Sequence, residues 1–299
     1  MRLLITGGSG FIGTRLCVAL SARGHELWVL SRHPWRAAKK LPGSVVLIDS
    51  LDKVPDDTAF DGVVNFAGES IAGGRWSKRR KQKLIDSRVG ITQSLYDLFS
   101  RLDKKPGVFI NGSAVGFYGN AGNAELVETS PAVKRDFTYL LCDAWESEAR
   151  RFAQFGARVC ILRMGVVLSH HGGLLGQMLP LYKRGLGVLL GDGSQWLSWI
   201  HLEDLLELVL RCLDASAAEG IYNAVAPQPV SYRRFHGALA KACQRPALLR
   251  VPSLPLSLAL GEMSVLMLGG QKVLPARLER EGFRFRYADI DSALRAEVG

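Results

Sequence analysis

Cysteine is scarce and unpaired: five residues, at positions 17, 142, 160, 212 and 243, with no C-x-x-C spacing among them. That count excludes a disulfide framework and a zinc knuckle, and it fits a reducing, cytoplasmic setting. Long apolar runs are also missing. The first one, Leu3-Leu4-Ile5, is only three residues long, far short of a signal-peptide core. The weakly charged stretch from 251 to 271 contains Pro252, Pro255 and Glu262, so it fails as a membrane span and no membrane partner is expected. Internal repeats, low-complexity tracts, paired carboxylates, a nucleophile elbow and a metal-ligand cluster are all absent, which leaves no metal and no hydrolytic chemistry to expect. Charged residues make up only 22% of the chain against 47% hydrophobic ones, a balance that excludes disorder.

Glycine and positive charge are plentiful. Glycine stands at 32 of 299 residues, in short clusters that suggest ligand-binding loops. Lysine and arginine outnumber acidic residues 38 to 28, for a net charge of +10. The densest basic run is Arg75, Lys78, Arg79, Arg80, Lys81 and Lys83, followed by Arg88. It reads either as a solvated helix face or as an anion-binding surface, and no nucleic-acid module accompanies it, so no nucleic-acid partner is expected.

The chain order predicts alternating strands and helices. Strand-like runs are Arg2 to Thr6, Glu26 to Leu30, Val45 to Asp49, Gly62 to Asn65, Val108 to Ser113 and Arg158 to Arg163. Helical periodicity covers Phe11 to Arg23, roughly Lys78 to Ser100, Phe137 to Phe155 and Leu202 to Leu213. This alternation implies an α/β protein with a Rossmann-type, doubly wound parallel sheet. From about Gly165 the pattern shifts to glycine-rich loops and proline-bounded segments, which marks a small C-terminal substrate lobe. The expected division is 1–168 with roughly 200–224 for the Rossmann domain, and 169–199 with 225–299 for the lobe.

The strongest chemical signal is Thr6-Gly7-Gly8-Ser9-Gly10-Phe11-Ile12-Gly13, directly after a strand and opening a helix. Gly7, Gly10 and Gly13 give the G-x-x-G-x-x-G spacing that turns the backbone tightly, brings it close to a pyrophosphate and packs helix on strand. The helix N-terminus then offers free N–H groups and a positive dipole to the phosphates. The second strand ends in Ser31-Arg32-His33, without the acidic residue that would hold a ribose 2′-hydroxyl; Arg32 suits a 2′-phosphate, so NADP(H) is the expected cofactor. Asp49 is a candidate for the adenine edge or, equally, a turn cap. Asn65, Ala67, Gly68 and Glu69 close the fourth strand, where small residues let a cofactor lie on the backbone; Arg163, ending the sixth strand, joins this candidate set.

The T-G-G-x-G-F-I-G opening resembles the extended short-chain dehydrogenases/reductases, the group that includes nucleotide-sugar epimerases. Further blocks resemble its atypical branch, the epimerase or SulA-like family: Asn65 to Ala72, Arg75-Trp76, Ser87-Arg88, Ser113 to Gly119, Trp145-Glu146, Leu162 to Leu168, Ser198 to His201, Asn223 to Pro227, and Gly261 to Pro275. The resemblance implies a family-specific segment at about 250–297, and it implies that Ser113 holds the catalytic-serine position at the end of the fifth strand.

The resemblance also implies a Tyr-x-x-x-Lys dyad, in which tyrosine exchanges a proton with substrate and lysine lowers the tyrosine pKa. The chain lacks it: none of its seven tyrosines is followed four residues later by lysine. Aligned on Glu146, the lysine position is Cys142 and the tyrosine position Thr138, while Arg88 stands where the tetrad asparagine would align. Tyr118, five residues after Ser113, is the substitute proton-donor candidate. Arg163, Lys183 and His201 lie on segments that could line the pocket, although His201, ahead of Glu203 and Asp204, reads first as a structural hydrogen bond or helix cap. In the glycine-rich stretch from Gly185 to Trp199, Trp196 or Trp199 either stacks on a ligand or closes the lobe.

Two functional readings result. One is an NADP(H)-binding oxidoreductase or epimerase-like enzyme acting on a small molecule, for which the positive balance suggests an anion. The other is a non-catalytic NADP(H)-sensing protein, which the SulA-like label would connect with cell division. A homodimer is compatible with either.

Overall fold

The computed structural model describes residues 1–299. Seven parallel strands form the central sheet: β1 (Arg2–Thr6), β2 (Glu26–Leu30), β3 (Val46–Ile48), β4 (Gly62–Asn65), β5 (Val108–Ala114), β6 (Arg158–Met164) and β7 (Gly220–Ala224). Their spatial order is β7-β6-β5-β4-β1-β2-β3, so the chain winds outward in both directions from β1 and β4. This is the expected doubly wound sheet. Its switch point opens a crevice at the carboxyl ends of β1 and β4.

Alternation along each strand builds a core on both faces. Leu3 and Ile5 point to one side, with Leu16, Cys17 and Leu20 of helix α1 (Phe11–Ala22). Leu4, Val63 and Phe109 point to the other, against Leu95, Leu98 and Phe99. A strand covered on both faces must be apolar throughout, which explains the near-continuous hydrophobic runs of β1, β4 and β5.

The expected helix at 78–100 is three pieces: α2 (Lys78–Ile85), a π-helical turn over Asp86–Gly90, and α3 (Ile91–Arg101). Thr92 anchors the π turn by donating its hydroxyl to the carbonyl of Arg88 at 2.7 Å. Such turns push one residue out of the helical register, here the segment carrying Ser87 and Arg88. Helix α4 (Phe137–Arg150) follows, and its Asp136 cap accepts from the amides of Thr138 and Tyr139.

The lobe has its own core. Helix α5 (Gly173–Lys183) contributes Leu175, Leu179 and Tyr182, and α7 (Tyr232–Ala242) contributes Phe235 and Leu239; the last helix, α9 (Ile290–Val298), adds Ile290 and Leu294. Between these lie α6 (Leu202–Asp214), packed on the sheet, and α8 (Ser253–Leu260), which buries none of its residues. The C-terminal segment does not stay within the lobe. Leu278 and Phe283 cross back into the sheet core, and Arg277 donates to the carbonyl of Ile221 on β7 at 3.2 Å. No helix is long and apolar enough to cross a membrane.

Candidate functional site

The glycine loop leaves β1 through Gly7, whose φ is +69°, in the left-handed region that favours glycine. A Cβ at Gly13 would lie 2.2 Å from the carbonyl oxygen of Gly7, so only glycine lets α1 seat against the loop. Gly10 sits at the N-cap with no side-chain capping bond, and the first turn of α1 holds no acidic residue. The helix therefore presents uncapped N–H groups and an uncompensated dipole. They open on a cleft of about 390 Å³ lined by Gly7, Ser9, Gly10, Ser31, Arg32, Ala67, Gly68 and Glu69 among others. His33, Arg36 and Lys40 line the same cleft. The cation-rich sequence after β2 carried a signal for Arg36 and Lys40, which stand four residues apart beyond Arg32.

The remaining candidates support the loop from behind or lie elsewhere. A Cβ on Gly8 would press on Val29 at 2.7 Å, Ile12 packs into the sheet core, and the Phe11 ring lies against Gly172 and Gly173. Asp49 is exposed and pairs with Lys53 at 2.7 Å, away from the cleft lining. Asn65 is fully buried: it accepts from Thr6 Oγ1 at 2.6 Å and donates to Thr92 Oγ1 and Asn111 Oδ1 at 2.8 and 2.7 Å. This network clamps the carboxyl ends of β1, β4 and β5 and reaches the π turn through Thr92. Asn65 thus shapes the cleft floor without lining it.

Arg163 differs most from its expected place. It is 2% exposed and grips Glu146 through Nε at 2.8 Å and Nη2 at 2.9 Å, with its guanidinium over the Phe117 ring. Ser113 donates its hydroxyl to the same carboxylate at 2.7 Å, and Arg150 adds a bond from the surface at 2.8 Å. Ser113 itself is 1% exposed. Tyr118 is fully buried and donates to Asn223 Oδ1 at 2.7 Å, and burial raises its pKa. The short 3-10 turn Val115–Tyr118 swings this ring away from the pocket toward β7.

A second cavity, of about 570 Å³, lies beyond β5 and β6, between the sheet and the lobe. Ala114, Gly116, Thr138, Cys142 and Met164 form its inner end; Leu181, Leu186 and Leu266 lie toward its exposed rim. A Cβ on Gly112 would touch Met164 of this cavity at 3.2 Å and Phe66 of the cleft at 3.3 Å, so the two spaces adjoin. Thr138 and Cys142, one turn apart on α4, face this cavity rather than the cleft. Burial pushes the Cys142 thiol up to about 11, Glu146 adds to the effect, and Arg88 opposes it. No charged side chain occurs anywhere in the lining, so an anionic substrate has no counterpart there.

Arg88 stands between the two spaces. Its guanidinium Cζ would lie 2.8 Å from a Cβ on Gly68 of the cleft, and its charge is felt by Cys142 of the cavity. Its donors go to the carbonyl of Glu69 at 3.0 Å, that of Leu84 at 3.3 Å and the Ser87 hydroxyl at 3.4 Å, with no carboxylate partner. Burial lowers its pKa and Arg80 adds to this. The basic run is accordingly more than a solvated face: Arg80 and Arg32 both hold Glu69, and Lys81 binds Glu262 at 2.6 Å. Of the other candidates, Trp199 is fully buried and donates to the Gln228 carbonyl, whereas Trp196 lines the cavity. His201 caps α6 and pairs with Glu297 at 2.8 Å, and Lys183 does not line the cavity.

Residues 3–224 match the model of the NAD dependent epimerase/dehydratase family, and 251–297 match a domain of unknown function, DUF1731. The chain is 36% identical over 296 residues to the epimerase family protein YfhF of Bacillus subtilis (strain 168), covering 98% of this chain and 97% of that protein. It is 38% identical over 305 residues to the chloroplastic SDR39U1 homolog of Arabidopsis thaliana, covering 99% and 86%. Among solved structures, the human epimerase family protein SDR39U1 (isoform 2), crystallised with NADPH, superimposes with a TM-score of 0.90 at 32% identity over 100% of this chain and 99% of that one.

Proposed function

The chain belongs to the NAD dependent epimerase/dehydratase family, and on that premise we propose that it binds NADP(H) in the glycine cleft and acts as an oxidoreductase on a small molecule held in the adjoining cavity. The observation that carries this reading is the uncapped N-terminus of α1 facing a cleft rimmed by Arg32, Arg36 and Lys40. Uncapped N–H groups suit a pyrophosphate, and the cations suit a 2′-phosphate. The human relative crystallised with NADPH supports the same cofactor. Bound NADPH supplies a hydride.

This chain's own residues supply the setting. The loop amides bind the pyrophosphate, and the network through Thr6, Asn65 and Asn111 holds the strand ends in place. Ser113 serves by donating to Glu146, which keeps β5, β6 and α4 in one rigid unit beside the cavity. A neutral thiol at Cys142 cannot replace the dyad lysine. Arg88 is a cation held between cleft and cavity, and its charge acts on Cys142.

Binding measured with NADPH and NADH, for wild type and Arg32→Ala, tests this. Arg32 is 82% exposed, so its loss should cost about 1 kcal/mol, or roughly fivefold in NADPH affinity, and leave NADH unchanged. Equal affinity for both cofactors in the wild type would overturn the choice of NADP(H). A second reading, cofactor binding without turnover, is favoured by one observation: the Tyr182 and Tyr232 hydroxyls that line the cavity are both raised in pKa by burial and spent on internal hydrogen bonds. NADPH consumption in the presence of carbonyl substrates separates the two.

A further inference from the structure

We infer that the cavity beside the cofactor cleft takes an uncharged, largely apolar ligand, an apolar ketone, aldehyde or secondary alcohol, and not a nucleotide-sugar. This deepens the oxidoreductase reading by naming the substrate class of its site. The cavity, at about 570 Å³, falls within the range of small-molecule sites, and 19 of its 28 lining residues are hydrophobic. None of the 28 is Lys, Arg, His, Asp or Glu.

The polar side chains in the wall are mostly occupied. Gln195 donates to the carbonyls of Leu190 and Met267, Ser198 to that of Gln271, and Tyr232 to that of Val188. Thr138 gives its hydroxyl to Gly116 or Asp136, and Tyr182 is paired with His236. Gln177 and Gln271 remain as neutral amides. Two amides can orient one oxygen atom, but they cannot neutralise a diphosphate. Burying each uncompensated charge costs several kcal/mol or more, so a diphosphate would be rejected even where its sugar fitted.

The approach to the cavity is apolar as well. Leu181 and Leu186 are 44% and 47% exposed at its edge, and Leu266 is 37% exposed on the segment from Val265 to Gln271 that covers it. A ligand that desolvates an apolar wall and rim gains about 25 cal/mol per Å² of apolar surface removed from water, with no ion to strip. Arg88 lies outside the lining, toward the cleft, so no cation meets a ligand held in the cavity.

The test uses the neutral dye Nile red, whose emission rises in an apolar site, with 2-undecanone, UDP and UDP-glucose as competitors, and Leu174→Trp and Met178→Trp to fill the cavity from one face of α5. NADPH binding is measured in parallel. We expect saturable binding of one dye per chain, displacement by the ketone, none by UDP or UDP-glucose, and at least tenfold weaker dye binding in the variants with NADPH binding intact. Displacement by UDP-glucose in preference to the ketone overturns the inference, as does unchanged dye binding in variants that still bind NADPH. If a variant loses NADPH binding through misfolding, the wild-type competition decides. Dye and ketone binding in a protein that ignores NADPH would sink the cofactor reading and leave this one standing; the reverse pattern would do the opposite.

Discussion

Replacing Glu146 by glutamine should damage stability far more than its single lost charge suggests. The carboxylate is fully buried and accepts four hydrogen bonds, two from Arg163 and one each from Ser113 and Arg150. Three of those donors sit on different elements, so one side chain ties β5, β6 and α4 together. Arg163 is 2% exposed and has no other acidic partner, so Glu146→Gln leaves its guanidinium without a counter-charge. Breaking a buried pair in this way costs about 3–5 kcal/mol. The amide keeps one acceptor oxygen, and Arg150, 45% exposed, turns to water at little cost, which places the expected loss at about 3 kcal/mol. At about 2 °C per kcal/mol for a chain of this size, the melting temperature should fall by about 6 °C. Differential scanning calorimetry or urea unfolding measures it. The double variant Glu146→Leu with Arg163→Met removes both charges and should recover most of the loss. A Glu146→Gln protein melting within about 1 °C of wild type, or a double variant no better than the single, would refute the reasoning.

Gly13→Ala forces a methyl group against the Gly7 carbonyl at 2.2 Å and the Gly8 Cα at 2.6 Å, neither of which can move aside; NADPH binding should weaken at least tenfold while the circular dichroism spectrum is kept, and unchanged affinity would count against the loop as the pyrophosphate site. Cys142, pushed up to about 11, should be alkylated by iodoacetamide at pH 8 at least a hundredfold more slowly than free cysteine, since only about 0.1% is thiolate; labelling mass spectrometry checks this, and rapid modification would contradict the neutral thiol. Burial works against the charge on Glu297, yet His201 and the backbone and ring of His170 hold its pKa down to about 2 from 4.5. A depressed carboxylate stabilises above its ordinary pKa and loses that contribution as pH falls through the folded value. The wild type should therefore be more stable than Glu297→Gln at pH 7, with the gap closing between about pH 4.5 and 2 in pH-dependent melts; a gap constant with pH would reject the pairing.

Local patterns were legible and long-range partners were not. β1 and β4 fall at the expected limits because strands buried on both faces leave uninterrupted apolar runs with sharp turn residues at their ends, and β2 does so with only one face fully buried. The glycine loop was legible because its requirement is steric and lies within eight consecutive residues, Thr6 to Gly13. Tyr118 escaped because its partner Asn223 is 105 residues away, and a tight turn after β5 decides which way the ring faces. Arg163 escaped likewise: the end of a strand is near the cofactor in principle, but a buried carboxylate on α4 claims its guanidinium. Asp49 is diverted by a lysine four residues on. The π turn at 86–90 has no periodicity signature strong enough to separate it from a continuous helix, so the position of Arg88 between two spaces came only from the structure.

The return of the C-terminal segment to the sheet has a consequence for the order in which the protein is made. Leu278 and Phe283 emerge from the ribosome more than fifty residues after β7 is complete, yet they belong to the same buried cluster as Tyr222 and Leu213. Until they arrive, the nascent Rossmann domain carries an open apolar seam at its outer edge, beside the last strand, where unpaired backbone is most exposed to misassociation. A chain cut after β7 would contain the whole cofactor loop and every strand of the sheet, and would still lack part of its own core.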